Sequence, residues 1–113
     1  MFCKFPAWLI AEYLRQINQE LFNGAIKLHT VKVKQTLKEK HIFAYCLDKT
    51  IELNPKAIKT TDELFNTLAH ELIHVYQFML GLPTNHNGKF FKVFAKKACN
   101  LYGFPYNEFK GWG

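Results

Sequence analysis

The stretch Thr60–Leu80 reads TTDELFNTLAHELIHVYQFML, and inside it stands His70-Glu71-Leu72-Ile73-His74, an H-E-x-x-H pattern. Thr60, followed three residues later by Glu63, is a capping box, and Gly81-Leu82-Pro83 supplies the stop, so the segment reads as one long helix. Steps of about 100° per residue gather Glu63, Asn66, Thr67, His70, Glu71, His74 and Gln77 on one face, with Phe78 at its edge. Leu64, Phe65, Leu68, Ala69, Leu72, Ile73, Val75, Tyr76, Met79 and Leu80 cover nearly all the rest. A helix apolar on most sides is buried. Its single polar stripe must then face a cleft or a metal to be satisfied.

Residues four apart on a helix lie one turn above each other. His70 and His74 can therefore grip one metal ion, with Glu71 projecting beside them as a carboxylate able to take a proton from water. H-E-x-x-H alone also occurs by chance. A site is favoured by the helix, its otherwise apolar surface and a third ligand downstream. The metzincin spacing would need Gly at 77 and His at 80, where Gln77 and Leu80 stand. A thermolysin-like site would need a downstream Glu, and the one acid after Glu71 is Glu108 in the tail. His86 is the only histidine after His74, and it lies just past the helix break, where the chain can double back. Three histidines on Zn²⁺ with an open fourth position form a catalytic geometry, whereas structural zinc is usually closed by four protein ligands. Zinc would polarise a scissile carbonyl, and Glu71 would accept a proton and pass it to the leaving amine. Tyr45, Tyr76, Tyr102 and His41 are candidates for an oxyanion donor, each with an alternative structural role. His29 precedes the motif without partner spacing and reads as incidental.

The flanking chain is short and ordinary. Pro6 opens a first helix running to about Phe22, closed by Gly24. Leu9, Tyr13, Leu14, Ile17 and Leu21 form its apolar stripe, with Glu12, Arg15, Gln16, Asn18 and Gln19 mostly outside. Ala25–Gln35 alternates as a strand whose phase slips at His29-Thr30, with Lys32 and Lys34 on a solvated face. Leu37–Lys40 reads as a charged loop. Ile42–Leu47 and Thr50–Leu53 form two further strands, paired antiparallel across Asp48-Lys49. After the polar loop Thr84–Gly88, Lys89–Tyr102 is a last helix closed by Gly103. Its expected inner stripe is Phe90, Phe94, Ala98 and Leu101, joined by Phe91 and Ala95. Lys89, Lys92, Lys96 and Lys97 lie outside. Tyr106, Phe109 and Trp112 in the tail pack back over the core.

A chain of 113 residues with 49% apolar residues is expected to form one globular domain. Fifteen Lys+Arg against nine Asp+Glu give +6, compatible either with a basic solvated surface or with a polyanionic partner. Cys3, Cys46 and Cys99 are scattered and form no C-x-x-C, which points to reduced thiols in a reducing compartment. The apolar run Trp8–Ala11 is too short for a signal peptide or a membrane span. The expectation is a cytoplasmic monomer with no membrane partner.

His70-Glu71-Leu72-Ile73-His74 followed by His86-Asn87-Gly88-Lys89-Phe90 resembles the SprT-like (Spartan) metalloprotease domain. That family carries H-E-x-x-H and then H-G-x-x-F/W, and Phe90 stands at the aromatic place. Leu21-Phe22-Asn23-Gly24 is similar to the family's end of the first helix, and Thr50–Pro55 to its last strand before the zinc helix. Two departures stand out: Asn87 intervenes before the glycine, and the four-cysteine zinc ribbon of many members has no counterpart here. The resemblance implies a zinc-dependent protease, in the best-known members acting on proteins crosslinked to DNA. Lys89, Lys92, Lys96 and Lys97 would be the surface for DNA. Minimal versions occur in the family, including among phage proteins, for which the compartment would be the host-cell cytoplasm.

The resulting expectation is an α+β, zincin-like domain over residues 1–113: an N-terminal helix, a small three-stranded sheet, a buried zinc helix and a further helix. One Zn²⁺ would sit on His70, His74 and His86, with Glu71 as catalytic base and a protein as substrate. The competing reading is a nucleic-acid-binding module with a mainly structural zinc site.

Overall fold

Thr60 starts the longest helix as its sequence dictates. The Thr60 hydroxyl accepts from the Glu63 N–H at 3.1 Å, and the Glu63 carboxylate accepts in return from the Thr60 N–H at 3.2 Å. The computed structural model describes residues 5–38, 42–106 and 109. Among them the chain forms helices α1 (Ala7–Phe22), α2 (Thr61–Met79) and α3 (Lys89–Tyr102), and strands β1 (Lys32–Lys34), β2 (Ala44–Leu47) and β3 (Thr50–Leu53). Helices plus a small mixed sheet make an α+β fold, as expected.

The sheet order is β1-β3-β2, with β3 in the centre. β2 pairs antiparallel with β3, Cys46 opposite Ile51 and Ala44 opposite Leu53. β1 pairs parallel with β3, Val33 opposite Ile51. Successive side chains alternate across a sheet. Ala44, Ile51 and Leu53 are therefore buried on one face, while Tyr45 and Leu47 are exposed on the other. α2 packs against β2 on one side and against α1 and α3 on the others. Its Leu64, Leu68, Leu72 and Ile73 are fully buried. No helix of the described residues is long and apolar enough to cross a membrane.

Three details depart from the sequence reading. The strand expected over 25–35 shrinks to Lys32–Lys34, because Leu28–Thr30 winds into a 3-10 turn. The phase slip at His29-Thr30 marks that turn: Thr30 turns back on Lys27, its hydroxyl and N–H both donating to the Lys27 carbonyl at 2.7 and 3.0 Å. In α3 the buried residues are Phe91, Ala95 and Ala98, with Phe90 and Phe94 half-buried and Leu101 exposed. Two adjacent phenylalanines leave the periodicity unable to choose between them, and the packing against α2 decides. Asn18 is not outside but buried.

Asn18 has a specific task. Its side chain donates to the Ile26 carbonyl at 2.9 Å and accepts from the Ile26 N–H at 3.0 Å, fixing the chain as it leaves α1. The exit needs two consecutive left-handed residues, Asn23 (φ 52°) and Gly24 (φ 77°), which only small or amide residues adopt readily. Asn18→Ala strands both backbone groups of Ile26 in the interior. It should lower stability by about 2–4 kcal/mol, read as a lower urea midpoint with unchanged slope.

Candidate metal centre

His70 and His74 stand one turn apart on α2, fully or nearly fully buried, and His86 reaches them from the loop between α2 and α3. The Nε2 atom of His86 lies 3.1 Å from that of His70 and 3.0 Å from that of His74. One ligand atom from each residue falls within 4.8 Å of the others. A tetrahedral zinc site with bonds of about 2.0–2.1 Å separates its ligand atoms by roughly 3.3–3.4 Å, close to what is found here. The H-E-x-x-H residues and the downstream histidine, distant in sequence, thus meet at one point.

Which nitrogens carry protons follows from the partners. The Nδ1–H of His70 donates to the Phe109 carbonyl oxygen at 2.8 Å, and the Nδ1–H of His74 donates to Gln77 Oε1 at 2.7 Å. With hydrogens on Nδ1, the neutral rings aim Nε2 lone pairs at each other. A proton on His86 Nε2 could serve only one of them. A divalent cation serves all three, so the donor set fits zinc. Burial lowers the His74 pKa, with the nearby His86 adding and the Gln77 hydrogen bond opposing. The net effect favours the neutral, ligating form.

Glu71 is wholly buried, and neither carboxylate oxygen has a hydrogen-bond partner. Desolvation pushes its pKa up to about 8. An orphaned buried carboxylate on the same helix turn as two of the converging histidines is a group that a cation or a water would satisfy. Asn66 and Thr67, one turn earlier on the same stripe, are also buried without partners. Cys46, on the inner side of β2, is close enough to feel the Glu71 charge. Burial first, then Glu71 and Asp48, push its thiol up to about 12. A thiol that stays protonated is a poor metal ligand, and Cys46 is not in the cluster.

Phe91 was assigned only to the packing stripe, yet it forms the floor of the site. Its ring stacks on His74 at 5.2 Å and 22°, and meets His70 and His86 edge-on at 5.2 and 5.0 Å. Phe90, the residue of the family-like spacing, packs instead on Tyr76 and Phe94. The Phe109 carbonyl could not be foreseen, since a backbone atom leaves no trace in residue type. His29 is exposed on the 3-10 turn, and His41, Cys3, Glu108 and Trp112 lie outside the described residues. Of the tyrosines, Tyr102 donates to Glu20 at 2.8 Å, Tyr76 sits among Phe22, Phe90 and Phe94, and Tyr45 is on the outer sheet face.

Fold and site together define a small α+β protein with a three-histidine candidate metal centre on an H-E-x-x-H helix. The chain belongs to the SprT-like family, whose model matches residues 10–109, nearly the whole length. No curated protein and no solved structure gives a significant match.

Two outcomes test this geometry. Purified protein should hold about one zinc ion per chain, and His86→Ala should lose it on dialysis against a weak chelator; a full complement in that variant would remove His86 from the site. In metal-free protein, Glu71 ionises near 4.5 when unfolded but at about 8 when folded. The folded state binds the extra proton between those values, so stability falls as pH rises through that window. Glu71→Gln carries no such charge, so its thermal midpoint should fall less between pH 5 and pH 8; equal falls would contradict the buried, unpartnered carboxylate.

Proposed function

We propose that the protein is a zinc-dependent metallopeptidase, with Zn²⁺ held by His70, His74 and His86 and Glu71 acting as general base. The observation that carries this reading is the convergence of the His70, His74 and His86 Nε2 atoms, with a fully buried Glu71, unpartnered at both oxygens, directly following His70 on α2. Zinc, when bound, supplies Lewis acidity that polarises a peptide carbonyl and makes water a better acid. The chain's own residues do the rest. One Glu71 oxygen takes a proton from the attacking water and returns it to the departing amine nitrogen. Phe91 and the Phe109 carbonyl hold the imidazole rings in the orientation that presents Nε2. A purely structural zinc would be closed by a fourth protein ligand, and no other described Cys, Asp or Glu joins the histidines. Membership in the SprT-like family supports the same activity class.

The substrate proposed is a protein associated with, or crosslinked to, DNA. Lys89, Lys92 and Lys96 are exposed along one face of α3, and a shallow groove there is lined by Asn87, Lys89, Lys92, Val93 and Lys96. Asn87 directly follows the ligand His86, so this basic face begins at the candidate centre. Lys97 also donates to the Leu21 carbonyl at 3.3 Å, so part of its bonding capacity is spent at the end of α1.

The deciding experiment is Glu71→Gln. It should keep its zinc and lose at least about 10²-fold in cleavage of an unfolded protein; undiminished cleavage would reject Glu71 as base. Single-stranded DNA should bind with affinity falling steeply with salt. Reversing Lys89, Lys92 and Lys96 to Glu should flatten that slope by about one for each phosphate contact removed. A slope unchanged by the triple variant would move DNA off this face.

A further inference from the structure

Gln77 lies three residues past His74 on the polar stripe and is 1% exposed. Both ends of its amide are used. Oε1 accepts from His74 Nδ1 at 2.7 Å, and Nε2 donates to the Asn85 backbone carbonyl at 3.1 Å. Asn85 immediately precedes His86. Its side chain is committed as well, Oδ1 accepting from the Gly88 N–H at 2.9 Å at the start of α3. The turn that delivers His86 is therefore pinned from both sides, by Gln77 at the carbonyl and by Gly88 at the side chain. It is also tight: a Cβ on Gly88 would come within 3.0 Å of Asn85 Oδ1.

These bonds have a logical order. A backbone carbonyl can only accept, so the Gln77 NH₂ must face Asn85. That orientation leaves the Gln77 oxygen toward His74, and an oxygen there demands a proton on Nδ1. With Nδ1 protonated, Nε2 of the neutral ring is the lone pair, 3.0 Å from Nε2 of His86. If the turn left its place, nothing in this contact would hold the amide in that orientation. Flipped by 180°, it would present NH₂ to Nδ1 and favour the tautomer with hydrogen on Nε2, which cannot ligate through that atom.

We propose that Gln77 is a positioning residue that makes the ligating tautomer of His74 conditional on the docked His86 turn. The second and third ligands become competent together, not one by one. The amide suits the position because it offers one acceptor and one donor at its two ends. A carboxylate would keep the acceptor and lose the donor, and an aliphatic side chain would lose both. The inference rests on the metal-site reading for its consequence, but the tautomer itself can be read without metal.

The test uses full-length protein and two variants, Gln77→Glu and Gln77→Met, each checked for folding by urea denaturation. In metal-free wild type, ring ¹⁵N shifts should report His74 protonated on Nδ1; finding the proton on Nε2 overturns the proposal whatever the variants do. Gln77→Met should shift His74 toward the Nε2–H form and weaken zinc binding about 10- to 100-fold in chelator competition. Gln77→Glu should retain the Nδ1–H form and bind zinc more tightly than Gln77→Met, while amide exchange across 85–88 accelerates in both. Equal zinc losses in the two variants, or an unchanged tautomer in Gln77→Met, would reduce Gln77 to a loop anchor and sink the proposal. Wild type that takes up no zinc but has His74 protonated on Nδ1 would overturn the metal reading and leave the tautomer assignment standing.

Discussion

The burial of α2 on every side is the constraint that the rest of the structure answers to. Its leucines and Ile73 make it the centre of the core, but that same position drags Asn66, Thr67, His70, Glu71, His74 and Gln77 out of water. Buried polar groups are tolerated when something meets them. The remaining elements are arranged around that need. The turn after α2 brings His86 and the Asn85 carbonyl, the segment after α3 brings the Phe109 carbonyl, and α3 brings the Phe91 ring. Glu71 is the one polar group of the H-E-x-x-H run that meets no partner, as Asn66 and Thr67 meet none one turn earlier.

Much of this was legible in the chain. The length and period of α2, its capping box and its polar stripe follow from residue type and spacing, because local hydrogen bonding and burial both act over a turn or two. His86 was accessible by elimination, as the last histidine in the sequence. The pairing of β2 with β3 followed from their short connection. What escaped detection depends on long-range geometry. The parallel pairing of β1 with β3 skips β2 in sequence and leaves no local signal, and the 3-10 turn at Leu28–Thr30 showed only as a slip in alternation. Phe90 and Phe91 are equivalent to a helical periodicity, and only the position of the imidazoles singles out Phe91.

Gln77 illustrates a different limit. Its presence excluded one zincin subtype, which is a statement about what it is not. Its role emerges only when the backbone carbonyl of Asn85, eight residues further along the chain, is placed opposite it. Asn18 is similar, a polar residue within a helix whose partner, the backbone of Ile26, belongs to the following segment. In both cases an amide side chain satisfies backbone groups that no secondary structure reaches. Asn18 looks like surface on a helical wheel and Gln77 like part of a polar stripe, and both are joints in the fold.

The bond between His70 and the Phe109 carbonyl spans 39 residues of sequence. During synthesis, the chain through His86 is complete well before that carbonyl exists, so all three imidazoles can be present on a growing polypeptide that lacks the acceptor for His70. The hydrogen bond that orients His70 can therefore form only after residue 109 has cleared the ribosome.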